Sequence, residues 1–391
     1  MTTQQRLRRI FSPLFLAVIF LAGFSSQALA QGLALRTSPR LMQGIRPLGM
    51  GGAFIAVDAA DENVLFYNPA AIRNYEKKIH MQFLLPSIDF SYKAIPFFAS
   101  DLLDLADDID GADTNTDKIN VFDAFAAANT GRYEEVGMRG PVAMLMHPTI
   151  TAALFYETRA VMGLLNPASS TIDLEAVSHG GLSIGSAYGF FDDKLKAGIA
   201  LKFLERHLID EALTQRDMIT NDDFTDALDL KQLGFGVGAD VGFQVKPKFA
   251  GKAWKTLDPT FAFTIQDVGD TRFFQGDDVG RINESTTVGF AFHPKYWKLH
   301  SAFAFDIRDI EHQTDLITKL HTGYEVTWPE ISKILRSASI RVGAHQGYLA
   351  GGFGLDFKYF KMNAVTYGRE IGQSTRQKES RMFGLQLASG F

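Results

Sequence analysis

Beyond residue 76 the chain alternates between apolar side chains and small or polar ones with a period of two. In Leu233–Lys246, LGFGVGADVGFQVK, one side carries Phe235, Val237, Ala239, Val241, Phe243 and Val245. The other carries Gly234, Gly236, Gly238, Asp240, Gly242 and Gln244. Likewise Trp297, Leu299, Phe303 and Phe305 oppose Lys298, His300, Ala302 and Asp306, and Phe353, Leu355, Phe357 and Tyr359 oppose Gly354, Asp356 and Lys358. Phe383, Leu385, Leu387 and Phe391 oppose Gly384, Gln386, Ala388 and Gly390. A period of two belongs to β-strands, whose successive side chains point to opposite faces. In a soluble sandwich the Phe and Leu ladders would be a core. A barrel that crosses a membrane turns them to lipid and keeps the polar set for its lumen.

Loop lengths separate the two readings. The alternation predicts about fourteen strands, near 77–90, 137–147, 149–159, 175–190, 194–206, 231–246, 257–268, 282–293, 297–308, 317–328, 336–346, 350–359, 361–370 and 380–391. Connections after odd strands are mostly long (91–136, 160–174, 207–230, 269–281), and those after even strands mostly short, as at His147-Pro148, Asp192–Lys194 and Phe360. Long outer loops and short inner turns are the asymmetry of outer-membrane barrels, and an even strand count suits them. Such a sheet must close on itself, because lipid offers no partner to an unpaired backbone group. Trp254, Trp297 and Trp328 fall at the inner strand ends, as an interfacial girdle requires. The expected fold is all-β: a transmembrane antiparallel barrel over 77–391, with Phe391 at its end as an assembly signal. Short helices are expected in the outer loops, with caps at Ser100 and Asn120, and a further helical stretch over 207–230.

The first thirty residues read differently. Arg6, Arg8 and Arg9 precede the apolar run LFLAVIFLAGF, and Ala28-Leu29-Ala30 offers a small-x-small cleavage site. This predicts a secretory signal peptide over 1–30. The chain has 39 Lys and Arg against 44 Asp and Glu, and losing the three arginines takes the net charge from −5 to about −8, which argues against nucleic acid as a partner. There is no cysteine, so neither a disulfide, a thiol nucleophile nor a cysteine metal site is available. Phe, at 33, and Gly, at 35, supply the outward and inward sides of the alternation.

Between signal and barrel, residues 31–76 are too polar and glycine-rich to span lipid. They contain RPLGMGGAFIAV and then FYNPAAI. A fourteen-strand lumen is too wide for its own side chains to fill, so this segment is the natural plug. Gly49, Gly51, Gly52, Ala53, Asp61, Glu62, Asn68, Pro69 and Ala70 carry its pattern: a GxGGA run, an acidic step and an NPA triplet. In these residues the segment resembles the N-terminal hatch of the FadL/TodX family of hydrophobic-compound transporters and of its PorV-like and TraF-like relatives. The resemblance implies a fourteen-strand barrel with the hatch folded inside, in the outer membrane of a Gram-negative bacterium. It implies passive uptake of hydrophobic small molecules such as long-chain fatty acids or hydrocarbons. The PorV-like relatives suggest an alternative, a scaffold in protein secretion or envelope assembly. Partners would be outer-membrane lipid and lipopolysaccharide, a hydrophobic ligand, and the barrel assembly machinery during biogenesis.

Ile95, Pro96, Phe97, Phe98, Leu102, Leu103 and Leu105 form an apolar outer-loop patch that could capture ligand or pack the loop onto the barrel rim. Asp240, Arg341, Asp356 and Lys358 are expected to face the lumen and to anchor the hatch or a ligand's polar end. No metal, cofactor or catalytic residue is expected. The nine histidines form no HExxH. DDIDGADTNTDK, 107–118, misplaces the glycine of a calcium loop, and GLSIGS, 181–186, is not taken as a nucleophile elbow.

Overall fold

A computed structural model describes residues 41–164, 171–220, 232–247, 252–276, 279–296, 298–312, 315–371 and 378–390. The expected signal peptide, Trp297 and Phe391 lie outside them. Eighteen strand segments form one sheet in which each segment bonds to its neighbours and the first also bonds to the last. Where short breaks are bridged, the segments make fourteen antiparallel strands closed into a barrel. β1 is His80–Leu84 with Ser87–Ser91, β2 Tyr133–Met146, β3 Ile150–Gly163, β4 Ile172–Phe190, β5 Leu195–Leu213 and β6 Gln232–Val245. β7 is Thr260–Gln266 with Thr271–Gly276, and β8 is Arg281–Ile282 with Ser285–Phe292 and Lys295–Tyr296. β9 is Leu299–Ile307, β10 Leu320–Pro329, β11 Leu335–His345, β12 Tyr348–Phe357, β13 Lys361–Glu370 and β14 Glu379–Gly390. Closure is made where β14 pairs with both halves of β1, Phe83 opposite Ser389 and Phe90 opposite Phe383.

The alternation is obeyed along the wall. Phe235, Val237, Phe303, Phe353, Leu385 and Leu387 are exposed on the outer face, and Lys202, Asp240, Asp306, Glu325 and Arg341 are buried on the inner one. Trp254 and Trp328 are exposed near the rim of short turns. An outer belt of bare Phe, Leu and Val belongs in lipid.

The core lies inside the barrel. Hatch residues Phe54, Ile55, Val57, Leu65, Phe66 and Ile72 pack against inward-facing Met144, Ala153, Phe155, Ala187, Ala200, Leu204, Ala262 and Ala304 of the wall. Wall residues here are mostly small because the hatch backbone takes the space. A Cβ on Gly198 would strike Pro69, one on Gly323 would strike Met50, and one on Gly185 would strike Leu65 and Ile72.

A second core stands on the loop rim. The segments Ala94–Pro96, Phe97–Asp101, Leu102–Asp110 and Asn115–Asn129 are helical. Their Phe97, Leu105, Ile109 and Phe122 pack on Met162, Ile172, Leu174 and Leu213 at the extended ends of β3, β4 and β5. Two sequence expectations change here. The longer helix is capped by Thr114, whose hydroxyl accepts from Asp117 N at 3.2 Å, not by Asn120; Ser100 bonds back to Pro96 O at 2.5 Å instead of capping. The stretch 207–230 begins as strand, since β5 runs to Leu213 before a short helix, Gln215–Thr220.

Candidate functional site

The hatch motif folds by local rules. Ile45–Gly49 is one helical turn, ended by Gly51 and Gly52 at φ 63° and 86°. Gly51 N donates to Leu48 O at 3.0 Å and Gly52 N to Pro47 O at 2.8 Å, which closes the helix in a Schellman turn. At Gly51 an added Cβ would also meet the carbonyls of Thr322 and Ala344, so glycine is required twice over. Gly49 lies against Arg341, and Ala53 is fully buried. The NPA triplet starts a second turn, Pro69–Asn74. Asn68 Oδ1 accepts from Ala70 N at 3.0 Å while Pro69 takes the first position, where no N–H is needed. Asn68 Nδ2 then donates to Ile55 O at 2.9 Å within the hatch and to Phe243 O at 3.2 Å on β6.

Charge fixes the hatch to one arc of the wall. Arg46 reaches Asp61 at 2.6 Å and Glu325 of β10 at 2.5 Å, and Glu325 also takes Arg341 of β11 at 2.5 Å. Burial alone would lower the Arg46 pKa, but Glu325 and Asp61 outweigh it and hold the guanidinium above its usual range. Asp306 of β9 accepts from Phe54 N at 2.7 Å and Ile55 N at 3.2 Å; His321 Nδ1 lies 2.7 Å from Gly51 O. Gln244 and Gln266 donate to Ile55 O and Phe66 O at 3.0 and 2.5 Å. Near the turn rim, Asp58 pairs with Lys246 and, at 3.8 Å, with Lys196, while Arg73 pairs with Asp193 at 2.8 Å. Burial works to raise the Asp58 pKa, yet Lys246 and Lys196 together leave it below the usual carboxylate value. Glu62 is pushed the other way, first by burial and then by its neighbour Asp61.

The expected lumen residues divide. Arg341 joins the hatch anchor. Asp240 is buried and inward, but it binds Lys202 at 2.7 Å and Asp267 N at 2.9 Å, both in the wall. Asp356 is half-buried near the turn rim, 3.9 Å from Lys361, and Lys358 is exposed in the turn after β12. In the outer loop, Phe97 is buried, Phe98 and Leu102 are half-buried, and Ile95 and Leu103 are exposed. Sequence reasoning missed Asp306, Glu325 and His321. Their signal was the phase of β9 and β10, which places each on the inward side.

Two further inner surfaces lie toward the loop rim. Across the seam of β1–β3 and β13–β14 the polar groups are matched: Arg159 binds Glu135 at 2.8 Å, Arg369 also binds Glu135, and Arg139 binds Asp89. Across β4 and β5 the matching is partial: Lys202 has Asp240 and Asp267, and Arg206 Nη1 donates to Arg281 O at 3.4 Å. His179 and Arg206 pair in register, as do Ser183 and Lys202. All four are buried, and among the described residues both His179 nitrogens, Ser183 Oγ and Arg206 Nε have no hydrogen-bond partner. Arg206 lies 5.4 Å from the centre of the Phe273 ring. Gly181 and Gly185 do frame Ser183 as in a nucleophile elbow, but the segment is mid-strand, without the sharp turn that chemistry needs.

Residues 41–76 thus lie inside a closed fourteen-strand barrel, packed on its inner wall and hydrogen-bonded to it. The solved toluene transporter TodX of Pseudomonas putida shares this fold, with a TM-score of 0.50 at 10% identity over 90% of this chain and 98% of that one. A TodX monoaromatic hydrocarbon channel carrying a deltaS2S3 mutation gives 0.52 at 11% identity, over 89% and 98% of the two chains. The fold that the hatch resemblance implied is therefore the one observed. No protein-family model and no curated protein matches the sequence.

Proposed function

We propose that this chain is an outer-membrane protein that admits hydrophobic small molecules passively, without an open aqueous pore. The observation that carries the reading is the occupied lumen: Met50 to Val57 and Glu62 to Ile72 are buried within the wall and hydrogen-bonded to it. An apolar solute gains by burial at each step and needs no water-filled path. The short turns would face the periplasm and the helical loops the exterior. Exposed Ile95 and Leu103 would meet solute first, while Phe97 and Leu105 hold the loop together. Asp240 and Arg341 are spent on wall and hatch. His179, Ser183 and Arg206 are what remains, above the hatch, for a ligand's polar end. Lipid and lipopolysaccharide would surround the outer belt, and the barrel assembly machinery would insert it.

The test is uptake of radiolabelled toluene and radiolabelled oleate by cells carrying the protein in their outer membrane, with organic extraction of the purified protein alongside. Uptake above that of cells without the protein, with a co-purified hydrophobe, supports the reading. Uptake equal to background, with a stoichiometric protein partner, replaces it with the secretion scaffold.

A further inference from the structure

The two rims of the barrel carry opposite charge. On the loop rim the helical segments expose Asp104, Asp107, Asp108, Asp110, Asp113 and Asp117, against the exposed Lys93 and the half-buried Lys118. The turn rim is basic. Its turns, and the stretch that leads into β1, expose Lys77, Lys78, Lys255, Lys298, Lys333 and Lys358. Arg336 and Lys361 are exposed where β11 and β13 begin. Arg336 is the extra residue of a bulge between Leu335 and Ser337, which takes it out of the ladder. Among the described residues, the exposed carboxylates at this rim are Glu76, Asp192 and Glu330, and Asp58, which is tied to Lys246. Lys361 lies 3.9 Å from Asp356, and the other seven cations have no ion pair among the described residues.

Bare apolar side chains stand between these cations. Phe191, Ile334 and Tyr359 are 74, 72 and 70% exposed, and Trp254 sits in the short helix, Lys252–Leu257, that carries Lys255. Lys358 Nζ lies 5.1 Å from the centre of the Tyr359 ring. Side chains this apolar at a turn tip belong at a bilayer boundary. There the ring or alkyl part enters lipid, and lysine keeps its ammonium among the headgroups. Cations spread around one end repel one another and gain from an anionic surface that reaches all of them at once. A soluble acidic partner would need them gathered on one patch. They are instead dispersed from the entry to β1 through the turns after β6, β8, β10 and β12, at the edge of the lipid-facing belt.

Going beyond the uptake reading, we infer that the turn rim is a binding surface for anionic phospholipid. Its lysines and Arg336 take headgroup phosphates of the leaflet that the turns meet. They gather lipids of net negative charge, of the phosphatidylglycerol kind, around this end of the barrel. The acidic loop rim repels the same headgroups, so the preference is confined to one end. It holds whatever the lumen carries.

Native mass spectrometry of the full chain tests it, with the protein released from nanodiscs of phosphatidylglycerol and phosphatidylcholine, equal in amount and matched in acyl chains. Retained lipid should favour phosphatidylglycerol on the order of fivefold, and the preference should vanish when the nanodiscs are assembled in high salt, which screens exposed charge. Combining Lys77→Gln, Lys78→Gln, Lys333→Gln, Arg336→Gln and Lys358→Gln should abolish the preference and leave the melting temperature unchanged. On the loop rim, Asp104→Asn, Asp107→Asn and Asp108→Asn together should leave the preference as it is. A rise in that second variant equal to the fall in the first would assign the effect to total charge and overturn the rim. Equal retention of the two lipids by the wild type overturns the proposal, as does a preference kept by the correctly folded first variant. Equal retention with an acidic soluble protein cross-linked to the turns in cells replaces the lipid with a protein partner. Should the first variant fail to fold, the salt series on the wild type decides: a preference that survives high salt is the same refutation.

Discussion

The hatch meets the barrel in two ways. Along β9 to β11 it is held by buried charge: Glu325 between Arg46 and Arg341, and Asp306 under two backbone amides. Along β12 to β14 it is held mostly by shape, through Ile45 and Leu48, with Lys361 the charge whose field reaches Glu62 of the hatch. Breaking a charged contact leaves a partner buried and alone, so its loss is steep. Losing apolar contact is graded. A plug built this way has a fixed edge and a yielding one, which a uniformly packed plug would lack.

The sharpest way to break that contrast is Glu325→Ala. It leaves Arg341 buried without its carboxylate and should cost about 3–5 kcal/mol. The purified barrel should melt lower, and its conductance should become noisy as the hatch loosens. Next is Gly51→Ala, which adds a Cβ where φ is 63° and two wall carbonyls already sit. We expect about 1–3 kcal/mol of lost hatch seating, read as new protease sensitivity within residues 41–57. On the yielding side, Ile45→Val should cost only about 0.5–1.5 kcal/mol in melting experiments. A loss as large as that of Glu325→Ala would erase the distinction between the two edges.

Two smaller effects concern charge near the turn rim. The Glu62 pKa is raised above its usual 4.5, so the folded state holds this proton more tightly than the unfolded one. Its contribution is present in acid and is lost as pH rises through the raised value. Glu62→Gln should therefore raise the melting temperature at neutral pH, with the gain vanishing below about pH 4.5. Asp58 behaves oppositely: its tie to Lys246 and Lys196 is kept above the usual carboxylate pKa and weakens only in stronger acid. The smallest effect is Arg73→Ala, which removes a partly exposed pair with Asp193 and should change stability by about 0–1 kcal/mol.

Much of the barrel was legible because one repeating rule writes it. Each strand between β2 and β14 shows which side faces out, and the expected boundaries mostly fall within a few residues of the observed ones. Breaks were not legible. β7 is interrupted by Asp267, Gly269 and Asp270 with φ of 53°, 74° and 63°, a conformation its alternation does not announce. The hatch residues Gly51, Asn68 and Pro69 were legible as turn formers, since capping and left-handed backbone are local chemistry. Their partners were not. Glu325 and Arg46 lie 279 positions apart, and only closure of the sheet brings them together. The loop patch was legible only as a patch for a related reason: a run of Phe and Leu does not say which members face a loop's own core. Phe97 does, and Ile95 does not.

The central claim is that residues 44–70 stopper the lumen, and single-channel recording in a planar bilayer tests it most directly. The intact chain should stay closed to salt, and deletion of 44–70 should open a large, steady conductance. An intact chain that already conducts as an open pore, or a deletion that changes nothing, would contradict the account.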